Sequence, residues 1–166
     1  MEEVAAHAGI SRRTIHRYFN SREALLSACF ARMLDGWQSI VLKVCKEATT
    51  PLAQLENLLY AAIDLGDKFG FLMRSPLVKL PELYTNGAPL PETAQQYQAV
   101  TGQFFSSLNA LQKQGLIDPG LPIPWIRILF THIVLAANTA TDSGEMAPNQ
   151  IKKTAWLSLK RSLAIA

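Results

Sequence analysis

The chain has 166 residues, 49% of them hydrophobic, with 16 Lys and Arg side chains against 13 Asp and Glu. This length and composition predict a globular protein with a sizeable core and at most two small domains. The start of the chain lacks the basic-then-apolar pattern of a signal peptide, and we find no uncharged apolar run of the roughly 18 residues that a membrane span needs. We therefore expect a soluble, cytoplasmic protein with no membrane association.

The positive charge is concentrated in one short segment. Residues 11–22 contain four arginines and no acidic residue, so the rest of the chain carries 12 basic and 13 acidic side chains. The formal net charge of +3 is therefore local. A local cluster of this kind indicates an anionic partner that binds at one site rather than nonspecific binding over the whole surface. The simpler alternative is a solvated helical face.

The first twenty residues predict two short helices joined by a sharp turn. Gly9 supplies the turn, Ser11 can cap the second helix, and the helical spacing turns Ile15, Tyr18 and Phe19 inward. In a DNA-binding helix-turn-helix, the outward side of the second helix meets phosphates and base edges. Here that side carries Arg12, Arg13, His16 and Arg17.

A long helix follows, capped by Asn20 or Ser21 and expected to run to about Ala48. Cys29 and Cys45 lie on it roughly 24 Å apart, too far for a disulfide, which fits a reducing compartment.

Pro51 begins the next helix, which we expect to end between positions 66 and 70. Four prolines in residues 70–92 predict short turns or a single short helix around 78–84. The helical pattern then returns over residues 92–114 and ends at Gly115.

The last two helices are predicted over 125–141, which is apolar nearly all round, and from Pro148 onwards. In the final helix the inward face carries Ile151, Ala155, Leu159 and Leu163. A monomer of this size has difficulty burying both helices, and pairing them with a second subunit as a four-helix bundle predicts a homodimer.

Three segments of the head carry a family resemblance: Ala-Gly-Ile-Ser at 8–11, Thr-Ile-His-Arg-Tyr-Phe at 14–19 and Ser-Arg-Glu-Ala-Leu at 21–25. Together they resemble the TetR family of bacterial transcriptional regulators. The resemblance implies an all-α fold, with a helix-turn-helix head over residues 1–34 and a regulatory, ligand-binding and dimerisation body over residues 35–166.

Position by position, the resemblance places residues 11–14 at the major groove and Tyr18 and Arg22 on backbone phosphates. His16 stands where the family usually has a phosphate-binding tyrosine, and Arg22 replaces the usual lysine. The candidate DNA-binding residues are Ser11, Arg12, Arg13, Thr14, His16, Arg17, Tyr18 and Arg22.

Family members have another helix before position 4, preceded by a flexible arm, whereas this sequence begins at Met1. We therefore expect the head to be incomplete, with the inward face of its first helix lacking a packing partner.

The resemblance implies a repressor that binds a palindromic operator in double-stranded DNA through two recognition helices roughly 34 Å apart. It also implies that binding of a small effector releases the repressor from the operator. The alternative is a dimeric helical ligand-binding protein that does not bind DNA in this truncated form.

Aromatic side chains in the body favour a mainly apolar effector, although most of them are more simply core residues. His132 lies on an apolar helix and could hydrogen-bond a ligand, but a core histidine whose hydrogen bonds are made within the protein is the more common case. The candidate pocket residues are Tyr60, Asp64, Tyr97, Phe104, Trp125, His132 and Asn138.

We do not expect an enzyme, a metal site or a cofactor. Three histidines and two cysteines lack metal-ligand spacing, and the sequence has no glycine-rich phosphate loop or nucleophile elbow. Asp64 and Asp67 are close in sequence, but acidic residues at that spacing near a helix end are usually solvated.

Overall fold

All the regular structure in the described part of the chain is helical. The computed structural model describes residues 1–73, 102, 104–105 and 107–165, without the side chains of residues 45 and 69–73. The helices are α1 (Glu2–His7), α2 (Arg12–Tyr18), α3 (Arg22–Glu47), α4 (Pro51–Met73), α5 (described at 102, 104–105 and 107–113), α6 (Ile123–Ser143) and α7 (Pro148–Ser162). This is the all-α fold that the sequence predicts.

Capping side chains and glycines set the helix boundaries. The Ser21 hydroxyl accepts a hydrogen bond from the Ala24 N–H at 3.0 Å, so Ser21 is the cap of α3. Thr50 does the same for α4, accepting from the Ala53 N–H at 3.1 Å. Gly115 and Gly144 adopt left-handed φ angles of 72° and 68° and end α5 and α6, because a residue without Cβ enters this conformation at little cost.

Two predicted boundaries move in the structure. Helix α3 ends at Glu47, one residue before the predicted limit. Helix α4 does not end between residues 66 and 70 but continues to Met73. A glycine inside a helix costs only about 1 kcal/mol relative to alanine, and tertiary packing around Gly66 outweighs that cost.

Several sequence predictions fall on residues that the structure does not describe. They are the turns and short helix predicted within 74–92, the first part of the helix predicted over 92–114, and the candidate pocket residue Tyr97.

Helix α4 lies at the centre of the body. It packs against α3, α6 and α7, and α6 also packs against α7. Leu55, Leu58, Leu59 and Ile63 of α4 are buried and belong to one core cluster with residues of the other body helices. The most buried core residues are Val41, Leu55, Leu58, Leu59, Leu108, Ile117, Ile126, Leu159 and Leu163.

The final helix follows the predicted pattern closely. Ile151, Ala155, Leu159 and Leu163 are all buried, at 3%, 7%, 0% and 0% exposure. Lys152 reaches across to α4, where its ammonium contacts the Asp64 carboxylate at 2.7 Å. The apolar face and this ion pair both hold α7 against the body.

By length and composition helix α6 could cross a membrane, although Arg127 interrupts its apolar run. Its inward side nevertheless packs on α4 and α7, with Ile126, Phe130 and Ala137 buried. We therefore assign α6 as the core helix of the body.

We expect Ser21→Ala to lower the free energy of unfolding by about 1 kcal/mol, because the Ala24 N–H loses its acceptor at the first turn of α3. Urea unfolding followed by circular dichroism measures this. Ser21→Thr keeps a hydroxyl at the cap and serves as the control; equal losses in both variants would contradict the capping role.

Candidate DNA-binding surface and effector cavity

The second helix of the head is anchored by a very small core. Ile15 of α2 is 3% exposed and Ala5 of α1 is 2% exposed. Between the helices, Gly9 has a φ of 65°, and the chain turns sharply enough for the Ile10 N–H to donate to the Ala5 carbonyl at 3.0 Å. The turn therefore presents the opposite side of α2 to solvent.

Other apolar residues of the head are not covered within the described structure. Val4 is 45% exposed and Ile10 is 42% exposed. Tyr18, which the spacing turned inward, is 68% exposed instead, and its ring lies against the Arg17 guanidinium. The upstream helix that the sequence suggests stays a prediction.

All four arginines of the basic segment are exposed. Arg12 forms an ion pair with Glu2 of α1. Arg17 lies over the Tyr18 ring, 5.0 Å from its centroid, and donates to the Tyr18 hydroxyl at 3.3 Å. Arg13 and Arg22 have no ion-pair partner among the described residues, so their guanidinium groups are the most available for an anion.

Two hydroxyls at the start of α2 are engaged with each other. Ser11 caps the helix by accepting from the Thr14 N–H at 3.1 Å, and the two side-chain oxygens are 2.9 Å apart. Ser11 thus fixes the N-terminus of α2. His16 is exposed on the following turn, beside the arginines. All eight candidate DNA-binding residues lie on α2, at its cap or at the start of α3.

The start of α3 is also a favourable place for negative charge. The pKa of Glu23 is held below its ordinary value by a hydrogen bond from its own backbone N–H, then by the Ser21 hydroxyl and the nearby Arg22. Backbone N–H groups at a helix N-terminus favour an anion in this way.

A cavity of about 120 Å³ lies in the body between α3, α4, α5 and α6. Aromatic rings form much of its wall: Phe104 lies 4.6 Å from Phe130 and 6.5 Å from Trp37, measured between ring centroids. The described lining contains no charged side chain. It consists of Met33, Leu34, Trp37, Ala62, Leu65, Gly66, Phe104, Phe105, Phe130, Thr131, Val134, Leu135 and Asn138.

Asn138 is the unusual member of this lining. It is 3% exposed, and neither its Oδ1 nor its Nδ2 has a hydrogen-bond partner in the described structure. Leaving a buried polar group unpaired costs about 1–3 kcal/mol. The other polar side chain, Thr131, is already satisfied, since its hydroxyl donates to the Arg127 carbonyl at 3.1 Å.

The amide of Asn138 fits only because position 66 of α4 is a glycine. A Cβ at Gly66 would lie 2.8 Å from the Asn138 Cγ and 2.9 Å from its Oδ1, closer than packed atoms approach. At this point the Asn138 amide of α6 therefore packs directly against the Gly66 backbone of α4.

Of the six candidate pocket residues that the structure describes, Phe104 and Asn138 line this cavity and the other four do not. Trp125 is 54% exposed. His132 is also exposed, and its Nδ1 lies 2.9 Å from the carbonyl oxygen of Ile128 in the same helix. The all-apolar pattern of α6 does not reveal which side faces inward, and these two residues lie on the outer side.

Tyr60 and Asp64 also lie outside the cavity lining. The Tyr60 hydroxyl donates to Glu56 Oε1 at 2.7 Å, and burial, then this carboxylate, raises the pKa of Tyr60 to about 12. Asp64 is exposed and pairs with Lys152. The carboxylates of Glu56 and Asp64 thus both form contacts within the body.

Sequence reasoning missed most of the cavity wall, notably Met33, Trp37, Leu65 and Gly66. These residues belong to ordinary apolar stripes, which indicate burial but not which buried face borders a void. Gly66 carried a usable signal, because a glycine inside an otherwise good helix indicates a close approach of another element.

Among the described residues, no group of three or more His, Cys, Asp and Glu side chains is arranged to hold a metal ion.

Residues 1–29 match the model of the bacterial regulatory proteins of the tetR family. No curated protein matches the chain by sequence. Several solved structures share its fold. LfrR from Mycobacterium smegmatis, a TetR-like transcriptional regulator solved in complex with proflavine, has a TM-score of 0.71 and 24% identity over 95% of this chain and 81% of its own.

Two further regulators have the same fold at lower identity. A TetR family transcription regulator from Marinobacter aquaeolei VT8 has a TM-score of 0.65 and 20% identity, over 93% of this chain and 81% of its own. FadR from Bacillus subtilis, solved with stearoyl-CoA, has a TM-score of 0.67 and 16% identity, over 95% of this chain and 85% of its own.

We expect Asn138→Leu to raise the free energy of unfolding by about 1 kcal/mol, because an apolar side chain of similar size removes the cost of an unpaired buried amide. Urea unfolding measures the change. Asn109→Leu is the matched control, since Asn109 is exposed and its amide donates to the Phe105 carbonyl at 3.2 Å. Destabilisation by Asn138→Leu would show that the amide is paired in solution.

Proposed function

We propose that the chain is a member of the tetR family of bacterial regulatory proteins, whose model matches residues 1–29, and that it is a cytoplasmic repressor. We propose further that a small, mainly apolar effector releases it from a palindromic operator. The single observation that carries this proposal is the exposed basic surface of the head, formed by Arg12, Arg13, Arg17 and Arg22.

This surface has the properties that double-stranded DNA requires. Four cationic side chains lie on one short helix and the start of the next, with no acidic side chain between positions 11 and 22. Arginine binds phosphate in a bidentate geometry, and α2 is the element whose outward side is free to enter a major groove. We propose that Ser11 and Thr14 orient the helix N-terminus, that Arg13 and Arg17 face the groove, and that Tyr18 and Arg22 contact phosphates.

Exposed apolar side chains on the outer side of the body support a homodimer. A stripe along α6 is exposed at Trp125, Ile128, His132, Ala136 and Thr139, at the spacing of one helical face. Trp125 and Ile128 are 54% and 44% exposed. On α7, Leu157 is 43% exposed. We propose that α6 and α7 pair with their copies in a second subunit and so cover these apolar side chains.

A palindromic operator is the expected counterpart of this dimer. Two copies of α2, related by a two-fold axis, read two half-sites one DNA turn apart. The proposed interface would fix the spacing between them.

The effector is proposed to occupy the cavity between α3, α4, α5 and α6. Its described lining is uncharged and rich in aromatic rings, which suits an apolar molecule. LfrR was solved with proflavine and FadR with stearoyl-CoA, and proteins of this fold thus hold small molecules of different shapes.

The alternative is a dimeric ligand-binding protein without specific affinity for DNA. The exposure of Val4 and Ile10 favours it, because the head buries little apolar surface of its own. A salt-dependent titration with DNA from the protein's own promoter region separates the two. A repressor binds tightly with a steep salt dependence, whereas the alternative shows only weak, nonspecific attraction.

In the same titration we expect Arg13→Ala to weaken operator binding by about ten-fold or more and to reduce the salt slope by about one. The reason is that the exposed guanidinium of Arg13 has no ion-pair partner among the described residues. Lys113→Ala on α5 removes the same charge from an exposed position outside the head and is the control. Equal effects of the two substitutions would remove Arg13 from the contact surface.

Leu157→Glu is expected to convert the dimer into a monomer, because it places a charge in the proposed α6 and α7 interface. Sedimentation velocity measures the mass. Leu42→Glu is the control, since Leu42 is 53% exposed on α3, outside the last two helices. A wild-type protein that sediments as a monomer at micromolar concentration would contradict the proposed dimer.

A further inference from the structure

Arg12 differs from the other three arginines of the basic surface, because a carboxylate balances its charge. Its guanidinium forms an ion pair with Glu2, which joins the first residue of α2 to the first residue of α1. Arg17 also has a partner, but the Tyr18 ring and hydroxyl are neutral and leave its positive charge in place. The other two arginines have no ion-pair partner among the described residues. Glu2 thus balances one of the four charges on this surface.

The ion pair lies at the edge of the surface that is proposed to meet DNA. Both side chains are largely exposed, Arg12 at 69% and Glu2 at 67%. Together with Glu3 and His16 they line one open depression at the junction of α1 and α2. A phosphate that approaches Arg12 therefore also approaches the Glu2 carboxylate, and two negative charges repel each other. While the pair is formed, Arg12 is a poor ligand for phosphate.

The pair contributes little to holding the two helices together. An exposed ion pair adds little to stability, and α1 and α2 already bury Ala5 and Ile15. A weak pair nevertheless affects DNA binding, because it is broken, or its carboxylate is brought close to DNA, each time Arg12 takes a phosphate.

We infer that Glu2 is a specificity-determining residue, which withholds Arg12 from DNA phosphates and so weakens binding to DNA that lacks the operator. This inference rests on the proposed DNA-binding function of the head. It assigns to a carboxylate of α1 a role in selecting among DNA sequences, without any contact between that carboxylate and a base.

Nonspecific binding is more sensitive to such a pair than operator binding is. Affinity for DNA without the operator comes almost entirely from cationic side chains on phosphates, and α2 can shift along the duplex until a released Arg12 meets one. In the operator complex, base contacts fix the register of α2. A released Arg12 therefore adds more to nonspecific affinity than to operator affinity.

The test compares Glu2→Gln with Glu3→Gln by fluorescence anisotropy, using the full chain and two duplexes. One duplex comes from the protein's own promoter region, and the other has the same length and base composition in scrambled order. Glu3→Gln is the matched control, because it removes the same charge from the next residue of α1, which is exposed and has no ion-pair partner among the described residues.

We expect Glu2→Gln to bind the scrambled duplex about three-fold more tightly than Glu3→Gln does, the size expected for one exposed ion pair. The salt slope on that duplex becomes steeper by up to about one, the value for one additional phosphate contact. The preference for the promoter duplex falls in Glu2→Gln relative to the control.

Arg12→Ala separates this role from a purely structural one. In that background, Glu2→Gln and Glu3→Gln have equal effects, because no guanidinium remains to be released. If the pair served only to join α1 to α2, Glu2→Gln would instead weaken binding to both duplexes.

The inference is overturned if Glu2→Gln and Glu3→Gln bind the scrambled duplex equally, or if their difference persists in the Arg12→Ala background. In a protein that prefers the promoter duplex, an unchanged preference in Glu2→Gln also overturns it, as does a wild-type protein that binds neither duplex at low salt. If the wild-type protein binds both duplexes equally while the two variants differ as described, the proposed operator binding fails and the effect of Glu2 on Arg12 stands.

Discussion

The close approach of α4 and α6 at Gly66 and Asn138 is the contact around which the body is arranged. Helix α4 packs against α3, α6 and α7, so its distance from α6 affects how all of these helices pack together. With no side chain at position 66, the two backbones come together while an amide occupies the gap. The adjoining side chains cannot fill the space beside it completely, and the cavity lies there.

The same arrangement links the cavity to the head through a single helix. Helix α3 runs without interruption from Arg22 to Glu47 and carries both a candidate DNA contact and part of the cavity wall. Met33 is eleven residues from Arg22, about 16 Å along the helix axis. A ligand shifts DNA affinity only if it binds two positions of α3 unequally. A continuous helix with cavity residues near its middle is a suitable element for such a difference.

The local chemistry of the sequence predicted the two helices of the head and several helix ends, because these depend on neighbouring residues. Ser21, Gly115 and the face of α7 that carries Ile151 are examples. The cavity was much harder to predict. His132 drew attention by its chemistry, yet helix α6 is apolar nearly all round, and only its packing on α4 and α7 reveals which side is inward. Gly66 was interpreted as a helix end because its packing partner lies far away in sequence.

Helix α6 serves two surfaces at once, and this constrains how the protein can respond to a ligand. Its inner side brings Asn138 and Phe130 to the cavity, while its outer side carries Trp125 and Ile128 to the proposed subunit interface. The two sides are separated only by the width of one helix. A molecule that displaces α6 from within would therefore also move the proposed subunit interface, and in a symmetric dimer both copies of that surface would move. The distance between the two recognition helices would then depend on the occupancy of both cavities.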